Sequence, residues 1–167
     1  MNITRAAVLS GSNLGNRYDN LTEASRLLEQ KLGKATAISA VYETQAWGGK
    51  STHDYLNQVL LFDLQLTAAE LLEACLQTEQ EMGRVRTAER WTNRLIDLDV
   101  LFFGNEIINE PHLQVPHPRM AERRFVLEPL ASLCPHWQHP VHGQTVAEML
   151  AVCPDKLLVQ PYKEVNA

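Results

Sequence analysis

The run Arg90-Trp91-Thr92-Asn93-Arg94-Leu95-Ile96-Asp97-Leu98-Asp99-Val100-Leu101-Phe102-Phe103-Gly104 constrains this chain more than any other stretch. Apolar residues flank two carboxylates on both sides, which reads as an interior strand. A strand alternates its faces with period 2. Ile96, Leu98 and Val100 therefore take one face, and Asp97 and Asp99 take the other. The enclosing fold must bury the first face and supply cations to the second, because unpaired carboxylates are costly in an interior strand. At a rise of about 3.3 Å per residue, the two aspartate Cα atoms stand roughly 6.6 Å apart. Carboxylates at that spacing can converge on a pair of hard cations about 3.5–4 Å apart.

Arg84, Arg86, Arg90 and Arg94 lie just ahead of the aspartates. Seven of the ten arginines fall between Arg84 and Arg124, and all five lysines fall outside that span. A guanidinium presents a rigid fork that suits phosphate oxygens bidentately. The net charge of −5 argues against a surface that recruits nucleic acid as a whole. An acidic chain with its arginines gathered in one stretch points instead to a local anion site, and a metal-binding strand beside it suits a polyphosphate.

The 167 residues suit a single domain over 1–167. No apolar run approaches the roughly 18 residues of a membrane span, and the N-terminus has no charged-then-apolar signal layout, so a cytoplasmic protein with no membrane association is expected. Cys75, Cys134 and Cys153 share no close spacing and read as buried thiols.

Ala6 to Ser10 reads as a first strand, punctuated by the turn formers Gly11 to Asn16. Leu21, Ala24, Leu27, Leu28 and Leu32 follow at helical spacing, and Gly33 closes that helix. Ala35–Thr44 and Tyr55–Leu66 read as strands, with Gln45–Asp54 between them as a loop. Thr67-Ala68-Ala69-Glu70 is a capping box, and it opens a helix that Gly83 ends. Leu95–Phe103 is the aspartate strand; short helical stretches follow around Val126–Cys134 and Thr145–Cys153. The order βαββαβ predicts an α+β, ferredoxin-like sandwich: a mostly antiparallel sheet, helices on one face, ligands and mobile loops on the other.

Five further groups bear on possible chemistry. Gly11-Ser12-Asn13-Leu14-Gly15 follows a strand but is neither a P-loop nor a dinucleotide fingerprint, and a tight strand-to-helix turn explains it equally well. Tyr55 and Phe125 are either core aromatics or, with Asn57, a sandwich for a planar heterocycle whose edge the amide reads. Trp91, in a polar loop, suits a stacking or closing role. His117 lies between Pro116 and Pro118 in a stiff turn, where it could donate to a phosphate oxygen with Arg123 adding charge, or be a surface turn only. His136, His139 and His142 recur every third residue, but the intervening prolines and the absence of a completing ligand favour a polar surface loop over a metal site.

Taken in order, Gly11–Gly15, Asp54-Tyr55-Leu56-Asn57, Gly83-Arg84-Val85-Arg86, Glu89-Arg90-Trp91, Arg94 with Asp97-Leu98-Asp99, Val115-Pro116-His117-Pro118-Arg119 and Glu122 to Leu130 resemble one family. It is 6-hydroxymethyl-7,8-dihydropterin pyrophosphokinase of the folate pathway, and the likeness runs from about residue 5 to 153. The resemblance implies transfer of the β,γ-diphosphate of MgATP to the pterin hydroxymethyl group, with release of AMP. It implies that Asp97 and Asp99 bind two Mg²⁺ ions. Tyr55 and Phe125 would sandwich the pterin, Asn57 would bond its edge, and backbone near Thr44 would help. Arg84, Arg94, His117 and Arg123 would contact phosphates, with Arg84 and Arg94 among the catalytic residues. Arg86 and Trp91 would belong to a closing loop that serves both substrates, and Glu79 would lie near the nucleotide. ATP and 6-hydroxymethyl-7,8-dihydropterin are then the partners, with neighbouring folate enzymes as candidate associates.

Thr92-Asn93 and Gln45-Ala46-Trp47 depart from the family pattern, as do Leu76 and Thr87. None of these touches the aspartate pair, so the activity is expected to survive with altered loop behaviour. Two other readings compete. A ferredoxin-like sheet with exposed aromatics can bind single-stranded RNA, and two metals with arginines also serve a phosphohydrolase.

Overall fold

The structure, a computed structural model, describes residues 2–44, 54–83 and 95–163. The expected roles of Arg84, Arg86, Arg90, Trp91 and Arg94, and of the segment around Gln45–Trp47, fall outside the described residues.

Strand β1 (Thr4–Ser12) leads into helix α1 (Arg17–Leu32), followed by short strands β2 (Ala37–Ile38) and β3 (Tyr42–Thr44). Strand β4 (Tyr55–Leu64), helix α2 (Ala68–Glu81) and strand β5 (Asp97–Phe103) complete the βαββαβ unit. A hairpin of β6 (Ile108–Glu110) and β7 (Leu113–Val115), a 3-10 turn (Met120–Glu122), α3 (Arg124–Leu133), α4 (Val146–Ala151) and β8 (Val159–Pro161) follow. The main sheet runs β5-β1-β4-β3-β8, and β2 pairs with β4 beside β3. All of its pairings are antiparallel, as a ferredoxin-like order requires.

Local chemistry accounts for the elements. Asn16 caps α1 by accepting the Asp19 N–H (3.1 Å), and Gly33 takes φ +87°, which lets the chain leave the helix in a conformation side chains disfavour. The Thr67–Glu70 box closes in both directions, at 3.1 and 2.9 Å. The single strand read over Ala35–Thr44 is instead two pieces. Ser39 breaks it: its Oγ accepts the Val59 N–H at 2.9 Å, replacing a ladder bond.

The α+β class stands, and one part of the expected layout is corrected. Helices are not confined to one face. Ala6, Val8, Leu56, Leu60, Leu98 and Val100 pack under α1 and α2. On the opposite face, Ala7, Leu9, Val59 and Leu61 pack under Val126, Leu127 and Leu130 of α3 and Val146 and Met149 of α4. β1 carries apolar side chains on both faces, so both faces need cover. A register shift between Ala7 and Val8 leaves Leu101 as an extra residue in β5. Leu101 and Phe102 therefore both join the α3–α4 core, and Phe103 joins the other. Among the described residues, α3 and α4 cover the part of the second face that holds Ala7, Leu9, Val59 and Leu61. Cys75 and Cys153 are buried as expected, whereas Cys134 is half-buried.

Candidate active site

The ladder places the candidate residues. Gly11 in the central strand pairs with Asn57 of β4 on one side and Asp97 of β5 on the other. Leu9 likewise lies between Val59 and Asp99. Paired residues share a face, so Asn57, Asp97 and Asp99 sit with Val59 on the α3–α4 side, above the part those helices cover. Asn57 and Asp97 are two strands apart, roughly 10 Å at ordinary strand spacing. Thr44 pairs with Tyr55, two residues along β4 from Asn57, and extends the same surface.

Asn57 and Thr44 are buried, at 3% and 2% exposure. Among the described residues, the Asn57 Nδ2 and the Thr44 Oγ1 have no hydrogen-bond partner. A buried polar atom left without one costs about 1–3 kcal/mol. Two of them on one patch of sheet form a polar edge that a ligand's hydrogen-bonding groups would satisfy. Gly11 makes room for it: a Cβ there would stand 2.8 Å from the Asn57 Oδ1. Of the run Gly11–Gly15 read as a strand-to-helix turn, Gly11 and Ser12 lie in β1, and Gly11 has a spatial role beside Asn57.

The start of α3 forms the other boundary. The Arg123 guanidinium lies 5.7 Å from the centroid of the Phe125 ring. Burial draws the Arg123 pKa below its ordinary value, while Asp99 and, less strongly, Asp97 oppose that shift, so the group feels both carboxylates and keeps its charge. Tyr55 and Phe125 are both half-buried.

Glu79 is buried at the end of α2, and its Oε2 accepts the N–H of Leu98, the residue between the aspartates, at 2.9 Å. It thus holds β5 in place from the α2 side, a role that sequence reasoning missed. Cys75, one turn earlier, has its thiol pushed far up by burial and by the charges of Glu79 and Asp99, so it is inert.

His117 donates its N–H to the Leu101 carbonyl (2.9 Å), and its Nδ1 accepts the Arg119 N–H (3.2 Å). That acceptor leaves the proton of the neutral ring on Nε2, which can donate outward. Burial first, then Arg123 and Arg119, push its pKa down to about 4. The unfolded chain therefore binds the proton more readily, and stability falls as pH drops from the ordinary 6.5 toward about 4. His139, held down to about 4 by burial and His142, acts in the same window. His117→Asn, which keeps an acceptor near Nδ1, should make the loss of Tm across that window shallower than in the parent. Parallel Tm profiles would assign the acid limb to other groups.

His136 and His142 are exposed, as a polar surface loop requires, but His139 corrects the expectation. His139 is buried, edge-on to Phe102 at 5.8 Å and stacked on His142 at 4.1 Å. Its Nδ1 accepts the N–H groups of Val141 and His142, so it organises a turn rather than lying in a polar surface loop. Among the described residues no group of three or more His, Cys, Asp or Glu side chains is placed to hold a metal.

The family model for 7,8-dihydro-6-hydroxymethylpterin-pyrophosphokinase (HPPK) matches residues 7–135. The chain belongs to this family. As an HPPK it is a pyrophosphokinase, a diphosphotransferase of folate biosynthesis. The chain is 43% identical over 130 residues to the Bacillus subtilis 2-amino-4-hydroxy-6-hydroxymethyldihydropteridine pyrophosphokinase, covering 77% of each chain. It is 38% identical over 156 residues to the Pseudomonas aeruginosa enzyme of the same name, covering 91% of this chain and 93% of that one. A crystal structure of an HPPK-DHPS in complex with substrates superposes with a TM-score of 0.71 at 15% identity, over 90% of this chain and 43% of that one. A Plasmodium falciparum HPPK-DHPS with pteroate gives 0.69 at 15% identity, over 89% and 42%. These two likenesses concern the fold, and the HPPK chain spans less than half the length of either protein.

Proposed function

We propose that this HPPK transfers the β,γ-diphosphate of MgATP to the hydroxymethyl group of 6-hydroxymethyl-7,8-dihydropterin and releases AMP. The observation that carries the reading is the ladder row Asn57–Gly11–Asp97. It sets a polar edge suited to a flat heterocycle, whose Asn57 Nδ2 has no partner among the described residues, two strands from a carboxylate pair suited to metal-bound phosphates. Asn57 and Thr44 bond the pterin edge, and Tyr55 and Phe125 cover its two faces. Asp97 and Asp99 hold two Mg²⁺ ions, since hard oxygen donors in a pair, completed by substrate phosphates, are what Mg²⁺ takes. When bound, the ions neutralise phosphate charge and raise the electrophilicity of the β-phosphorus.

The remaining work is positioning and charge compensation, the main demands of phosphoryl-type transfer. Arg123 offers its guanidinium beside the aspartates, and His117 Nε2–H donates to a phosphate oxygen without adding charge at neutral pH. Arg84 and Arg94 hold the transferred group and the leaving AMP. Arg86 and Trp91 close the site against water, and Glu79 lies near the nucleotide while it braces β5. The whole of 1–167 acts as one pyrophosphokinase domain. The enzyme works in the cytoplasm, in association with neighbouring folate enzymes; no described helix is long and apolar enough to cross a membrane.

The test is AMP formation from MgATP with and without the pterin. Pterin-dependent AMP together with diphosphorylated pterin is the expected result. Inorganic phosphate released without pterin would favour a phosphohydrolase, and salt-sensitive RNA binding without ATP turnover would favour a binding module. Gly11→Ala probes the pocket directly. Its Cβ would displace the Asn57 amide, and the KM for pterin should rise about tenfold, with the KM for MgATP little changed. An unmoved pterin KM would take Asn57 out of the pocket.

A further inference from the structure

The family match ends at residue 135, yet the segment beyond it reaches both walls of the pterin pocket. On the Phe125 side, helix α3 starts without a capping side chain of its own. Asp155 supplies one from the tail: its Oδ2 accepts the Arg124 N–H at 3.1 Å, and its backbone carbonyl accepts Arg124 Nε at 2.9 Å. A carboxylate is the favoured charge at a helix N-terminus. Arg124 stands between Arg123 and Phe125, so this double grip sets the direction in which both side chains leave the chain.

On the Thr44 side, β8 adds to the sheet edge and pairs Val159 with Thr44 and Gln160 with Glu43. Beyond it, the Tyr162 N–H donates to the Val41 carbonyl at 2.8 Å. The Tyr162 ring lies 5.7 Å from the Arg17 guanidinium and 6.2 Å from the Tyr18 ring. Arg17 also donates to Glu43 Oε2 (2.7 Å) and to the Asp54 carbonyl (2.9 Å). Glu43 precedes Thr44, and Asp54 precedes Tyr55. A cation in the first turn of a helix works against the helix dipole, so α1 itself gains nothing from an arginine there. The gain lies in tying together β3, the start of β4 and the tail.

We infer that the C-terminal segment Asp155–Tyr162 is a brace that positions the two walls of the pterin pocket, through Asp155 at the start of α3 and through Tyr162 and Arg17 at β3 and β4. Neither Asp155 nor Arg17 touches substrate; both are positioning residues. The inference rests on the pterin reading of the Asn57 pocket.

The experiment compares Arg17→Ala, Asp155→Ala and Asp155→Asn with the full-length parent, reading kcat, the KM for pterin, the KM for MgATP and Tm. A pocket whose walls must be ordered by the ligand loses affinity, so each alanine variant should raise the pterin KM about tenfold; Arg17→Ala should leave kcat and the MgATP KM within about twofold, whereas Asp155→Ala, because Asp155 also sets Arg123, should raise the MgATP KM by about threefold. The two act on different walls, so their fold-changes should multiply in the double variant. Asp155→Asn keeps a capping oxygen and should restore the pterin KM to within about twofold of the parent. Pterin KM values unchanged in both alanine variants, or both KM values rising in equal proportion as Tm falls, would overturn the brace. Asn57→Ala run alongside separates the two readings: if it too leaves the pterin KM unmoved, the pocket assignment has failed rather than the brace alone.

Discussion

Asp97→Ala and Asp99→Ala should each lower kcat by about a thousandfold or more, with Tm within a few degrees of the parent. The effect is large because two functions leave with each carboxylate. One is the Mg²⁺ ligation proposed above; the other is the negative charge that offsets Arg123, whose guanidinium responds to both aspartates. The fold should tolerate the change because Asp97 and Asp99 are only half-buried, while the residues that anchor the strand, Leu98, Val100 and Ile96, face the opposite core. The Leu98 N–H bond to Glu79 also survives the substitution. Steady-state rates at saturating Mg²⁺ decide the matter: near-parental turnover in both variants would sink the two-ion assignment.

Asn57→Ala should reduce kcat/KM for pterin by about a hundredfold while leaving the KM for MgATP within about twofold. A site built to bond a heterocycle's edge loses heavily when that bond is removed, because the ligand's own groups are then buried without partners. The free protein should be little destabilised, because the Asn57 Nδ2 has no partner among the described residues and removing it relieves a cost. That combination separates a binding amide from a structural one. A large loss of Tm with unchanged pterin kinetics would make Asn57 a core residue and leave the pocket elsewhere.

Much of the frame could be read along the chain. The helix beginning at the Thr67–Glu70 box, the helix ending at Gly33 and the apolar flanks of Asp97 and Asp99 are signals spaced a few residues apart, and each appears where expected. Other elements gave weaker signals. β8 and the β6–β7 hairpin are three-residue strands whose side chains carry no periodic pattern long enough to detect. They exist because a neighbouring strand offers unpaired backbone groups, and that offer is invisible in their own residues. The helical periodicity of Val126–Cys134 was legible too, but not which face of the sheet it covers.

The candidate site divides along the same line. Alternation in a strand put Asp97 and Asp99 on one face from the sequence alone, because the constraint is local and covalent. That Asn57 lies in the same row, that Gly11 clears space for its amide and that Asp155 caps α3 from 31 residues away depend on strand register and chain return. The sequence by itself determined the longer elements, the charge pattern and the family, since these follow from residue type at short spacing. Only the tertiary structure decided which elements share a face and what each polar group meets there, because register and packing are set by summed contacts between segments far apart in the chain.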